Sequence, residues 1–186
     1  MSAIPTAENP ITLPSATMRA AMSEFDEMAG VMAPIVESSE YLADESATLA
    51  FATRFAHWLA TRFARGLTAP LSIALHGDLG AGKTTFVRGV LRALGVSGAI
   101  KSPTYALVET YDTPLGDVVH MDAYRIEGRD DFEARGGMEY FSTPSIRLVE
   151  WPEKIDGMVR FDVDVRIDFD GEGRRISVTA ATKDRP

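Results

Sequence analysis

The stretch LSIALHGDLGAGKTTFVRGVLRALG, at residues 71–95, decides the fold of this 186-residue chain. It begins with a short apolar run typical of a buried strand and ends with apolar residues at helical spacing. Between these parts, Gly77, Gly82, Lys83 and Thr84 fit the pattern G-x-x-x-x-G-K-[ST] in full. A P-loop motif requires a strand before its glycine loop and a helix after it, and both are predicted here, so the segment predicts a P-loop.

The predicted P-loop indicates how this segment would hold a nucleotide with Mg²⁺. Backbone N–H groups of a glycine-rich loop can point at a phosphate because no side chain blocks them, and a helix N-terminus adds partial positive charge. Lys83 would reach the β- and γ-phosphates as a mobile charge, and the Thr84 hydroxyl would ligate Mg²⁺. The residues expected to line the phosphates are Asp78, Leu79, Gly80, Ala81, Gly82, Lys83 and Thr84.

Two acids follow apolar runs farther along the chain. Asp122 follows VVHM at residues 118–121, and Glu150 follows IRLV at residues 146–149. A carboxylate at the end of a strand commonly helps to hold the metal in phosphoryl transfer. One acid could polarise the metal or its water while the other orients the attacking water, or each could simply cap a loop. Together with Lys83 they are the candidate catalytic residues, and with Thr84 they are the candidate metal environment.

The remaining pattern predicts an α/β fold. Apolar residues from Leu49 to Phe63 lie on one helical face, and Asp44 is a candidate cap for that helix. YALVETY and VVHMD flank a turn and predict a β-hairpin, and a short helical stretch is expected around residues 131–138. FDVDVRIDF alternates strictly before DGEG and ISVTA, which predicts a terminal hairpin. We therefore expect a P-loop NTPase fold with a mixed, mainly parallel central sheet flanked by helices and a C-terminal β-hairpin.

The composition excludes several classes of protein. The chain has no cysteine and only three histidines, at no metal-site spacing, so a disulfide scaffold, a thiolate metal site and zinc hydrolase chemistry are disfavoured. No apolar run approaches the ~18 residues that a membrane span needs. Guanine specificity is disfavoured because the only approximation to N/T-K-x-D is TKDR at residues 182–185. A small metabolite kinase fits the length, but such kinases usually end in helices and an arginine-rich lid.

Four ordered segments resemble the TsaE family (formerly YjeE), the bacterial P-loop ATPases of tRNA threonylcarbamoyladenosine (t6A) synthesis. The resemblance extends from about Leu42 to Ala180. The segments are GDLGAGKTTFVRG at residues 77–89, KSPTYALVE at 101–109, HMDAYR at 120–125 and LVEWPEK at 148–154.

This resemblance implies an ATP-driven switch with ATP and Mg²⁺ as cofactors and with TsaB and TsaD homologues as partners. It implies that tRNA is reached only indirectly, through that complex. Asp122 and Glu150 would join Thr84 around Mg²⁺, and Thr85 would contact the α-phosphate. Further residues implied near the nucleotide are Ser102 and Thr104, in a switch-like loop, and Trp151. Arg125 would either neutralise transition-state charge or pair with an acid. A small kinase or a nucleotide-binding scaffold without useful turnover remains the alternative.

The family core has no counterpart for the front of the chain. Of the formal net charge of −8, most belongs to residues 1–45, which hold eight acids and one base, Arg19. We expect residues 1–38 to be an acidic N-terminal extension and residues 39–186 to be the P-loop ATPase domain. A methionine stripe beginning at Met18 predicts a short helix from Ser15, its candidate cap. This helix would pack on its own domain or dock a partner, unless the segment is disordered. No secretory or transit signal is evident and the core is nearly neutral, so we expect a cytoplasmic protein that binds neither DNA nor membrane.

Overall fold

The structure, a computed structural model, describes residues 37–66 and 69–180. The predicted methionine-rich helix and the TKDR segment lie outside these residues. The seven strands are β1 (Ser38–Leu42), β2 (Leu71–His76), β3 (Val108–Thr113), β4 (Gly116–Asp122), β5 (Ile146–Glu150), β6 (Val163–Asp170) and β7 (Gly173–Ala180). The helices are α1 (Glu45–Ala64), α2 (Lys83–Ala93) and α3 (Arg129–Ala134), with 3-10 helices at Gly137–Phe141 and Pro152–Ile155.

The strands form one mixed sheet in the order β1-β7-β6-β2-β5-β4-β3. The four central strands β6, β2, β5 and β4 pair in parallel, whereas β3, β7 and β1 pair antiparallel at the two edges. The predicted α/β fold, the β3–β4 hairpin and the terminal β6–β7 hairpin are confirmed. Parallel pairing is confined to the centre, where it brings the carboxyl ends of β2, β5 and β4 to one edge of the sheet.

Successive residues of the central strands point to opposite faces, and each face is covered. Leu148 belongs to the apolar cluster that includes α1 and α2, whereas Val149 belongs to a second cluster that includes Phe132 of α3. The predicted cap of α1 is confirmed, because the Asp44 carboxylate accepts a hydrogen bond of 2.8 Å from the N–H of Ala47. Among the described residues, we find no helix with the length and apolar character needed to cross a membrane.

Two local features differ from expectation. The segment SSEYL forms edge strand β1 against β7, although only Leu42 in it is buried. The helix expected at residues 131–138 ends earlier, because Gly136 adopts a φ of 73° and the chain continues as a 3-10 helix. Gly137 then lies against the Phe132 ring, where a Cβ would come within 2.2 Å of a ring carbon.

The β6–β7 hairpin forms a wall beside the P-loop. β2 ends at His76, which is level with Arg166, while β6 and β7 continue together to Asp170 and Gly173. Gly77 has a φ of 136°, and a Cβ there would lie 2.2 Å from the Ile167 carbonyl oxygen. The first glycine of the P-loop motif is thus required by contact with β6 as well as by its backbone conformation.

Candidate functional site

The P-loop encloses the ammonium group of Lys83. The Lys83 Nζ donates to the carbonyl oxygens of Gly77 at 2.5 Å and Asp78 at 3.0 Å. The residue is only 4% exposed although it begins α2. Gly80 and Gly82 adopt φ values of 78° and 112°, which favour glycine and give the loop its curl. The loop therefore places a buried cation at the N-terminus of a helix, where an anionic phosphate binds favourably.

An aromatic ring covers the same ammonium group. Trp151 directly follows β5 in a left-handed conformation with a φ of 60°, and its ring centroid lies 3.8 Å from the Lys83 Nζ. The Tyr124 ring packs against Trp151 with the centroids 5.0 Å apart. Burial lowers the pKa of Lys83, and the nearby carboxylates of Glu150, Glu153, Asp122 and Asp78 partly oppose that shift. Trp151, which the family resemblance implies near the nucleotide, thus lies beside the P-loop cation.

The Thr84 hydroxyl is bonded to a carboxylate. Its Oγ1 donates to Glu150, with distances of 2.9 Å to Oε1 and 3.1 Å to Oε2. Glu150 lies at the end of β5 and is only 3% exposed. The hydrogen bond between Thr84 and Glu150 therefore joins α2 to β5. Since the hydroxyl proton points at Glu150, the lone pairs of Oγ1 remain available to a cation.

Asp122 lies beside Glu150 and holds the switch-like loop. The two acids are register partners on the parallel strands β4 and β5. Asp122 Oδ2 accepts hydrogen bonds from the hydroxyls of Ser102 and Thr104, the latter at 2.7 Å. Its Oδ1 accepts from the N–H of Tyr124 at 3.0 Å. The structure therefore brings Ser102 and Thr104 to the same strand-end carboxylate that the sequence singles out.

The other predicted residues lie at the margin of this cluster. Leu79 is 74% exposed at the tip of the P-loop, and the Thr85 hydroxyl accepts a 3.2 Å hydrogen bond from Arg88. The Arg125 guanidinium lies 4.3 Å from the centroid of the Tyr105 ring, which is 83% exposed. Arg125 thus stacks on the aromatic residue of the switch-like loop.

His120 is a residue of the site to which the sequence reasoning assigned no role. Its Nε2 lies 2.8 Å from Glu150 Oε1, and its side chain is fully buried. The signal was present in the motif HMDAYR, because His120 precedes Asp122 by two residues and therefore shares its face of the strand.

The donor set fits a magnesium ion. Thr84, Asp122 and Glu150 offer only oxygen, which Mg²⁺ prefers, and Mg²⁺ is usually held by one or two carboxylates plus phosphate oxygens and water. Within residues 37–66 and 69–180, no three His, Cys, Asp or Glu side chains form a metal-binding cluster. The protein groups alone would therefore not complete a cation shell, and a bound nucleotide would have to supply further ligands.

The fold and the site define a P-loop NTPase. The chain belongs to the TsaE family, because the family model described as "Threonylcarbamoyl adenosine biosynthesis protein TsaE" matches residues 42–177. It is similar to the tRNA threonylcarbamoyladenosine biosynthesis protein TsaE of Haemophilus influenzae, with 39% identity over 77% of this chain and 90% of the relative. The protein of the same name from Bacillus subtilis is 38% identical over 58% of this chain and 68% of its own length.

A solved structure supports the fold. The crystal structure of Bacillus subtilus YdiB matches with a TM-score of 0.59 and 25% sequence identity, covering 83% of this chain and 92% of that one.

Proposed function

We propose that this protein is the Mg²⁺-dependent, ATP-binding and ATP-hydrolysing component of the t6A modification machinery. The relatives named above are t6A biosynthesis proteins. The observation that carries the ATPase assignment is the hydrogen bond from the Thr84 hydroxyl to the Glu150 carboxylate, with Asp122 as the register partner of Glu150. This arrangement joins the end of the P-loop to two strand-end acids.

Lys83 supplies the positive charge for phosphate binding. Its ammonium group is held by two backbone carbonyls and the Trp151 ring, which are weaker partners than a phosphate oxygen. A nucleotide would therefore attract Lys83 out of these contacts, and backbone N–H groups of the P-loop would face the same phosphates. The gain of anionic partners would offset the cost of burying the ammonium group.

Glu150 and Asp122 would have different roles in hydrolysis. Mg²⁺, when bound, would neutralise charge on the phosphates, with the Thr84 oxygen as a protein ligand. Glu150 accepts a hydrogen bond from the Thr84 hydroxyl, and we propose that it also orients an attacking water as a hydrogen-bond acceptor. Asp122 accepts hydrogen bonds from the hydroxyls of Ser102 and Thr104 and would thereby fix the switch-like loop beside the bound nucleotide.

The proposed switch role would act through that loop. Asp122 connects the proposed nucleotide site to residues 102–105, and Tyr105 presents a largely exposed ring at the surface. A change in the bonds to Asp122 during the ATP cycle would therefore alter a surface that a partner can read. We propose TsaB and TsaD homologues as the partners, with tRNA reached only through them and the cytoplasm as the compartment.

The test is ATP hydrolysis by the full chain, alone and with purified TsaB and TsaD homologues. We expect weak turnover alone and stimulation by the partners, with Lys83→Ala and Glu150→Ala each abolishing turnover. Absence of stimulation together with phosphorylation of a metabolite would favour a kinase. Nucleotide binding without turnover under all conditions would favour a scaffold, and wild-type rates in both variants would refute the site.

A further inference from the structure

We propose that His120 is a positioning residue that holds the Glu150 carboxylate in place for the Mg²⁺–nucleotide complex, an inference that rests on the proposed function. Glu150 Oε1 lies 2.8 Å from His120 Nε2 and 2.9 Å from Thr84 Oγ1. One carboxylate oxygen is therefore shared between strand β4 and helix α2. Two donors from different elements define the direction of the carboxylate, which a single donor would leave free to rotate.

The direction of the hydrogen bond follows from the chemistry of the partners. An ionised carboxylate only accepts hydrogen bonds, so His120 Nε2 carries the proton and donates it to Glu150. The other ring nitrogen, Nδ1, is buried and has no hydrogen-bond partner among the described residues. A buried polar atom without a partner is unfavourable, and an apolar side chain would avoid that cost. The imidazole thus leaves Nδ1 without a partner among the described residues, while Nε2 makes the hydrogen bond to Glu150.

The location of His120 separates it from the groups that would touch the nucleotide. It belongs to β4 two residues before Asp122, and its register partner on β5 is Leu148, two residues before Glu150. The side chain is fully buried, and its hydrogen bond is to Oε1 of Glu150. Its effect on chemistry therefore passes through Glu150, in the way that outer residues orient the ligands of a metal site.

Three substitutions of His120 distinguish positioning from packing. In His120→Gln the side-chain nitrogen is as many bonds from Cα as Nε2 is in histidine, so the donor to Glu150 is retained. In His120→Asn the nitrogen takes the position of Nδ1, and in His120→Ala both ring nitrogens are lost, including the donor to Glu150. Met121→Ala is the matched control, because Met121 is also fully buried on β4 but belongs to the cluster on the other face.

The experiment measures binding of a non-hydrolysable ATP analogue by calorimetry, in EDTA and in excess Mg²⁺, together with ATP turnover and melting temperature. In the wild type we expect Mg²⁺ to strengthen binding. His120→Ala and His120→Asn should lose roughly 10–100-fold of that strengthening and of turnover, while their affinity in EDTA stays within about threefold of the wild type. His120→Gln should restore most of both.

Several outcomes would overturn the inference. The first is a wild-type response to Mg²⁺ in His120→Ala, and the second is the absence of any Mg²⁺ effect in the wild type. The third is that Met121→Ala, with a similar decrease in melting temperature, loses as much Mg²⁺ response and turnover as His120→Ala. If the expected binding pattern is found but the wild type never hydrolyses ATP, the proposed ATPase function fails while the role of His120 in positioning Glu150 stands.

Discussion

The Nζ of Lys83 lies 3.8 Å from the centroid of the Trp151 ring, so the P-loop cation and the residue after β5 are in direct contact. The ring is held in turn by Tyr124, and Trp151 adopts a backbone conformation that is uncommon for a residue with a large side chain. Any movement of the ammonium group toward a phosphate therefore changes the electrostatic surroundings of an indole.

This contact predicts a fluorescence signal for nucleotide binding. The chain has two tryptophans, and the other, Trp58, lies on α1 against Phe55 with the ring centroids 5.3 Å apart. A Trp58→Phe protein should change its emission saturably on titration with ATP and Mg²⁺, because Lys83 leaves the Trp151 ring. Trp151→Phe is the matched control and should give no signal; a full response from it would contradict the contact's role.

The hydrogen bonds that Ser102 and Thr104 donate to Asp122 predict a loss of turnover when either hydroxyl is removed. Replacing Ser102 or Thr104 with Ala removes a hydrogen bond to a carboxylate, and we expect turnover to fall roughly tenfold for either change. Steady-state hydrolysis with the partners present measures this effect. Thr113→Ala is the control, because it removes a 2.7 Å hydrogen bond to Gly116 in the β3–β4 turn, away from the site. Equal losses from Thr113→Ala would show that only stability had changed.

The lowered pKa of Lys83 predicts a pH dependence of stability. Its folded pKa is below the ordinary value of 10.5, so unfolding takes up a proton at alkaline pH. The contribution of Lys83 to the free energy of unfolding should therefore rise with pH between the lowered folded pKa and 10.5, since the penalty for the buried charge disappears there.

Urea unfolding of the wild type and Lys83→Met at a series of pH values measures this contribution as a difference. The free energy of unfolding of the wild type minus that of Lys83→Met should increase as the pH rises toward 10.5. A difference that is constant across the alkaline range, or that shifts toward the variant, would be inconsistent with an ammonium group destabilised by burial.

The approach of α1 and α2 predicts a packing defect in Gly89→Ala. A Cβ at Gly89 would lie 2.6 Å from the Cβ of Ala52, which is closer than packed carbons tolerate. We expect a loss of about 1–3 kcal/mol in the free energy of unfolding, although alanine alone favours a helix over glycine by about 1 kcal/mol. Adding Ala52→Gly should recover part of the loss, as measured by urea unfolding. Additive losses in the double variant would exclude the contact.

Most of the site was predictable because its residues lie in short contiguous motifs. The P-loop, the two strand-end acids and Trp151 each follow a recognisable apolar run, so parallel pairing of β2, β5 and β4 was enough to bring them together. The sequence could not reveal that Lys83 is bonded to carbonyls within its own loop, since those contacts depend on the curl of the backbone. The spacing in HMDAYR puts His120 on the face of Asp122, but the bond from His120 to Glu150 joins two strands and depends on their register, which spacing does not give.

The fold was predictable where apolar patterns were strong and failed where they were weak. SSEYL is a polar edge strand with one buried side chain, so no periodicity marks β1, and its pairing with β7 joins distant parts of the chain. The break after α3 depends on the left-handed Gly136 and on the close contact between Gly137 and Phe132. Local propensity does not contain that tertiary contact.

The contact of Gly77 with the Ile167 carbonyl means that the phosphate-binding motif is not an autonomous module. A fragment that ends before β6 would contain every residue of the P-loop motif and every acid of the site, yet it would lack the strand that supports the first glycine. Such a fragment should recover its nucleotide affinity only when the missing hairpin is supplied as a separate chain. The loop is therefore a joint product of two distant parts of the polypeptide, and its native conformation requires β6 to be in place.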